Sequence, residues 1–199
     1  MKLIAITPEI TLRHESEYIE MILDSGFDYV HIRKPSFDVN AMRKFILNIP
    51  QLFHSRLKLH SCFELVDEFN VAGVHLNSRN KYFEQNDSCN ELLLSKSCHS
   101  VGELSTSCEY EYEYVFLSPV FDSISKNGYK SNFELEEISQ IFRTRSYSNV
   151  IALGGIKAEY LPLLAETGFA GAAFLGYLFC DVDKNELNKK LEFINKYKR

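Results

Sequence analysis

A chain of 199 residues is long enough for one domain that buries roughly 70% of its unfolded surface, and about the shortest that closes an eight-stranded barrel. With 45% apolar and 13% aromatic residues it has a folding composition, and a net charge of −5 excludes a broad nucleic-acid face and leaves any anion to local groups. No apolar run approaches the roughly 20 residues that span a bilayer and no signal-peptide pattern opens the chain, so no membrane partner and a cytoplasmic address are expected.

Short apolar runs recur in chain order at Leu3–Ile6, Tyr29–Ile32, Leu57–Leu59, Gly73–Leu76, Leu92–Ser95, Tyr114–Leu117, Val150–Leu153 and Ala172–Leu175, and they predict eight strands. Helical spacing separates them: Tyr18, Ile19, Ile22 and Leu23 before Gly26, then stretches from Asn40 to Ile49 and from Phe63 to Phe69. Later come Leu135, Ile138, Ile141 and Phe142 before Ser146, the stretch from Lys157 to Thr167 closed by Gly168, and a last helix over Lys184 to Tyr197. The polar segment from Asn77 to Asn90 predicts a short or irregular connection, and the acidic-aromatic run from Glu109 to Tyr114 is expected to hold its glutamates in solvent. Strands alternating with helices point to a parallel sheet buried on both faces. Eight such units favour an α/β fold of the (β/α)8 TIM-barrel kind, one compact domain over residues 1–199. An open doubly wound sheet would want a GxGxxG turn after the first strand, where Ile6-Thr7-Pro8-Glu9 has no glycine.

Five cysteines, at positions 62, 89, 98, 108 and 180, show neither a CxxC pair nor metal-ligand spacing and read as reduced thiols. In a barrel of this kind catalytic groups sit at the C-terminal ends of strands. That rule brings four of the six histidines, His31, His60, His75 and His99, to one mouth and leaves His14 and His54 to the surface. Histidine suits proton transfer near neutral pH, and His99, where the fifth strand becomes a loop, is the best general acid or base. His75 alternates with Val74 and Leu76 and reads as structural. Zinc held by His31, His60 and His99 lacks a carboxylate or an HxH spacing, so no metal is expected.

Arg33 and Lys34 close the second strand, where a guanidinium and an ammonium suit a phosphate or a carboxylate. The loop from Ser118 to Gly128 offers hydroxyls and Lys126 as further phosphate contacts. Glycines follow the last two strands, at Gly154-Gly155 and at Gly176. In such barrels the loops after strands seven and eight, with a short helix N-terminus, cradle a phosphate on backbone N–H groups.

Five segments, His31-Ile32-Arg33-Lys34, Ala72-Gly73-Val74-His75-Leu76, Ser95-Lys96-Ser97-Cys98-His99-Ser100, Ser118-Pro119-Val120-Phe121 through Lys126, and Ala152-Leu153-Gly154-Gly155-Ile156, carry a resemblance over nearly the whole chain. In that order the chain resembles the thiamine phosphate synthase and TenI superfamily. The resemblance implies thiazole-phosphate contacts from Ser123, Ser125, Gly155, Leu175 and Gly176, and places Arg33, Ser97 and Lys126 where the superfamily contacts a diphosphate substrate. His31 and His60 would line the pocket. Its magnesium pattern is altered: His60-Ser61 stands for an Asn-Asp pair, Asn80 for a second aspartate, His31 for a glutamine and Pro35 for a lysine. Magnesium prefers carboxylate oxygens, so the resemblance implies a TenI-like thiazole tautomerase without cofactor more than a magnesium-dependent synthase, with a noncatalytic phosphate-binding protein as a third reading. In the tautomerase His99 shuttles the proton and Arg33 or Lys34 holds the substrate carboxylate. The expected partner is a small-molecule phosphate, and a homodimer is compatible with the pattern.

Overall fold

The computed structural model describes residues 1–83, 92–107, 111–122, 133–144 and 147–198. Eight parallel strands close into a barrel in sequence order: β1 (Lys2–Ile6), β2 (Tyr29–Ile32), β3 (Leu57–Leu59), β4 (Gly73–Leu76), β5 (Leu93–Cys98), β6 (Tyr114–Leu117), β7 (Val150–Leu153) and β8 (Gly171–Phe174). Closure is made by β8 against β1, with Lys2 opposite Gly171 and Ala5 opposite Phe174.

Side chains alternate across each strand, which divides the apolar residues between two cores. Ile4 and Ile6 turn inward to meet Tyr114, Phe116, Ile151 and Ala173, whereas Leu3 and Ala5 join the larger core between sheet and helices. The helices are α1 (Glu15–Asp24), α2 (Val39–Leu47), α3 (Val101–Ser107), α4 (Leu135–Thr144), α5 (Leu161–Thr167), α6 (Gly176–Phe179) and α7 (Lys184–Tyr197). On α7, Leu187, Leu191 and Ile194 form the buried stripe, and Asp183 caps its start by accepting from the Glu186 N–H at 2.9 Å. No helix among the described residues is long and apolar enough to cross a membrane.

Some expectations need correction. The stretch from Phe63 is a 3-10 turn over Phe63–Asp67, and the stretch from Lys157 divides into a 3-10 turn over Ala158–Tyr160 followed by α5, with Pro162 in its first turn. α3 was not foreseen, because Val-Gly-Glu-Leu-Ser-Thr-Ser is poor in strong helix formers. His54 is buried, its Nε2 2.9 Å from the Ile49 carbonyl and its ring against Phe69. Glu113 does not stay in solvent: it turns under the barrel to meet Lys2, Tyr29 and Lys58.

That group closes the N-terminal end of the interior. The fully buried Lys58 donates to Glu113 Oε2 at 2.8 Å and to the Leu93 carbonyl at 3.0 Å, and Tyr29 O–H donates to Glu113 Oε1 at 2.9 Å. Desolvation pushes Lys58 down to about 8 despite the partner carboxylate, while the surrounding cations hold Glu113 below the usual range against its own burial.

Candidate functional site

Strand parity decides what reaches the barrel mouth. His31 of β2 lies level with Lys58, which lies level with Gly73; His60 and His75 each stand one inward step higher on adjacent strands. The rings of His60 and His75 therefore stack, with centroids 4.3 Å apart and planes 23° from parallel. His31 Nδ1 is 2.8 Å from His60 Nε2, and His31 Nε2 is 2.6 Å from the Tyr114 hydroxyl.

His75 points inward and is held by two serines of β5, its Nδ1 3.0 Å from Ser95 Oγ and its Nε2 2.8 Å from Ser97 Oγ. Ser95 Oγ donates to the Val74 carbonyl at 3.3 Å. One tautomer assignment satisfies every contact: Nδ1–H donates to Ser95, and Nε2 accepts from Ser97. Burial pushes all three imidazoles down, His60 to about 3, so each is neutral at physiological pH.

His99 follows β5, exposed at the rim and outside this trio. Its Nδ1 lies 3.2 Å from the Ser118 carbonyl and 3.3 Å from Ser118 Oγ, so Nδ1–H donates to Ser118 and Nε2 keeps the basic lone pair. Glu103 accepts the His99 backbone N–H at 2.7 Å, which fixes the loop that carries the ring.

Of the two cations closing β2, only one stands at the mouth. Arg33 is partly exposed and pairs with Glu9 at 2.7 Å. Lys34 turns the other way. Its ammonium is fully buried, 2.7 Å from Glu15 and donating to the Pro8 carbonyl at 2.6 Å, so it ties the β1–α1 loop to α1. The expectation that Lys34 grips a substrate anion is corrected on this geometry, since binding one would strip Glu15 of its partner in a dry site.

The glycine turn after β7 is built against the loop after β6. Val120 N–H donates to the Leu153 carbonyl at 2.9 Å and Phe121 N–H to the Gly154 carbonyl at 3.1 Å. Gly155 has φ of 65°, and a Cβ there would lie 2.3 Å from the Asp122 carbonyl oxygen, so any other residue would push the two loops apart. A cleft of about 810 Å³ opens beside this turn, lined by Val120, Phe121, Asp122, Gly155, Lys157 and Tyr160 among others. Lys157 brings to it a cation that sequence reasoning passed over as a helix-start residue. Leu175 precedes α6 and Gly176 opens it, so the first-turn amides of α6 follow directly on β8. Ser123, Ser125 and Lys126 lie outside the described residues.

The family model for thiamine monophosphate synthase matches residues 3–178. The thiamine-phosphate synthase of Lactiplantibacillus plantarum is 26% identical over 170 residues, which cover 80% of this chain and 77% of that protein. A putative thiamine-phosphate synthase of Geobacter sulfurreducens is 23% identical over 92% of this chain and 90% of its own length. Among solved structures, a thiamine phosphate pyrophosphorylase of Bacteroides thetaiotaomicron superposes with a TM-score of 0.84 at 30% identity, over 99% of this chain and 97% of that one.

Proposed function

The chain belongs to the thiamine monophosphate synthase family, and within it we propose a TenI-like thiazole tautomerase that binds a thiazole phosphate and moves a proton without a metal. One observation carries this reading. Among the described residues the single cluster of three metal-ligating side chains is His31, His60 and His75, all nitrogen donors. Magnesium needs near-octahedral oxygen ligation and reluctantly gives up its waters, so this donor set does not fit it.

In this reading the phosphate sits on main-chain N–H groups of Gly155, Leu175 and Gly176, and the resemblance adds the hydroxyls of Ser123 and Ser125. Arg33 takes the substrate carboxylate by exchanging Glu9 for it, a substitution of one carboxylate for another at the same guanidinium. His99, its Nδ1–H held by Ser118, accepts the migrating proton on Nε2 and returns it to the product carbon. Ser97 is engaged by His75 and orients the wall beside the ring.

The test is turnover of a thiazole carboxylate phosphate. His99→Ala should lower kcat by about 10²- to 10⁴-fold with phosphate affinity nearly intact, and unchanged turnover removes His99 from the mechanism. The names of the curated relatives favour a second reading, a synthase joining hydroxymethylpyrimidine diphosphate to thiazole phosphate. An assay with both substrates, with and without magnesium, separates the two; magnesium-dependent thiamine phosphate formation would install the synthase.

A further inference from the structure

We propose that His31, His60 and His75 form a site for one divalent transition-metal ion of the zinc class, inside the barrel and independent of the tautomerase reading. The three histidines come from adjacent positions around the sheet, at β2, just after β3 and at β4, and one ligand atom from each lies within 4.8 Å of the others. Zinc holds imidazole nitrogens at about 2.0–2.1 Å, which sets neighbouring ligands about 3.3 Å apart in a tetrahedron. His31 Nδ1 and His60 Nε2, 2.8 Å apart, must open by roughly half an ångström, while donors standing up to 4.8 Å apart must close by about 1.5 Å and the stacked His60 and His75 rings must tilt for one ion to reach all three.

The surrounding groups are those a metal-bound imidazole needs. A ligating histidine keeps its orientation by donating from the other ring nitrogen. Tyr114 O stands 2.6 Å from His31 Nε2, and Ser95 Oγ accepts from His75 Nδ1 at 3.0 Å, leaving His31 Nδ1 and His75 Nε2 as lone-pair donors. His60 is set from its main chain, its carbonyl accepting from Asn80 Nδ2 at 2.7 Å and Asn77 Nδ2 at 3.3 Å; moving its ring proton to Nδ1 frees Nε2. Ser97 Oγ, 2.8 Å from His75 Nε2, borders the fourth position, where a water would complete the tetrahedron.

Selectivity follows from the donors. Three neutral imidazoles suit zinc, cobalt, nickel or copper and reject magnesium and calcium. The sequence set aside zinc on His31, His60 and His99 and expected no metal; the structure groups His75 with His31 and His60 and leaves His99 on the rim.

The alternative is a polar plug, three imidazoles that only bond one another and their serines and tyrosine. Untagged full-length protein stripped with chelator, then titrated with Zn²⁺ by calorimetry and with Co²⁺ by absorption, distinguishes them. One ion per chain is expected, with the visible ligand-field band of four-coordinate cobalt, displaced by Zn²⁺ and not by excess Mg²⁺. His75→Gln should weaken binding by more than about 100-fold and the outer-contact variant Tyr114→Phe by about 10- to 100-fold, with His14→Gln unchanged. Circular dichroism checks each fold, and His60→Gln serves if His75→Gln does not fold. Absence of saturable binding by the wild type, or undiminished binding in a folded histidine variant of the cluster, overturns the site.

Discussion

At the N-terminal end of the barrel interior, charge is closed by charge: Glu113 takes Lys58 and Lys2 together with the Tyr29 hydroxyl. Level with Lys58 stands His31 and one inward step higher stand His60 and His75, all three buried as neutral rings that share protons with each other, with Tyr114 and with Ser95 and Ser97. Both layers put polar groups where barrels of this kind stack branched apolar side chains. The difference lies in what each leaves over. The lower layer consumes its charges in fixed pairs, whereas the upper one retains lone pairs that can be redirected to a ligand.

Acid should break the upper layer first and hardest. Each histidine has a folded pKa below its unfolded value of about 6.5, His60 at about 3, so the stability they contribute is complete above about pH 6.5 and is lost as pH falls. The unfolded chain takes up these protons first, so stability falls with acid by at most about 1.4 kcal/mol per pH unit for each ring. Urea denaturation between about pH 7 and pH 5 measures it, and His60→Gln should remove about one third of the slope. A flat profile across that window would mean that the rings already carry charge in the folded state.

The lower layer should break by mutation instead. Glu113→Ala leaves the Lys58 ammonium in a dry site with no counter-charge, at a cost of about 3–5 kcal/mol. The double variant Lys58→Met with Glu113→Leu removes both charges and should be within about 1 kcal/mol of wild type or more stable, because the desolvation of both groups disappears with them. Equal losses in the single and double variants would show that side-chain shape, not charge pairing, holds this end.

The comparison also marks what could be read in advance. The strands were legible as short apolar runs, β1 most clearly, where Leu3 and Ala5 face one core and Ile4 and Ile6 the other. The end of β5 was not, since Ser95 and Ser97 face an interior that His75 has made polar, and the apolar signal stops at a residue that the sheet still pairs. Lys58 hides between two leucines, and its partner Glu113 lies 55 residues away, a pairing that no local pattern announces. Lys34 was misplaced for the same reason: the carboxylate that draws it out of the mouth, Glu15, belongs to α1. Gly155, Gly176 and His99 stood out because strand ends in a barrel share one rim, a rule of topology that needs no side-chain contacts.

The smallest effect sharpens the contrast from the alkaline side. Lys58 has a folded pKa of about 8 against about 10.4 in the unfolded chain, so between these values the unfolded chain binds the extra proton. Stability should therefore rise with pH across that window, by at most about 1.4 kcal/mol per unit, the reverse of the loss expected if the Lys58–Glu113 ion pair itself were the stabilising element. Other tyrosines and lysines titrate in the same range, which is why the quantity to measure is wild type minus Lys58→Met at each pH. A difference that grows with pH places the desolvation of Lys58 above its attraction to Glu113. A constant difference would mean that Glu113 keeps Lys58 charged throughout, and the lower layer would then be an ion pair whose charges offset their own burial.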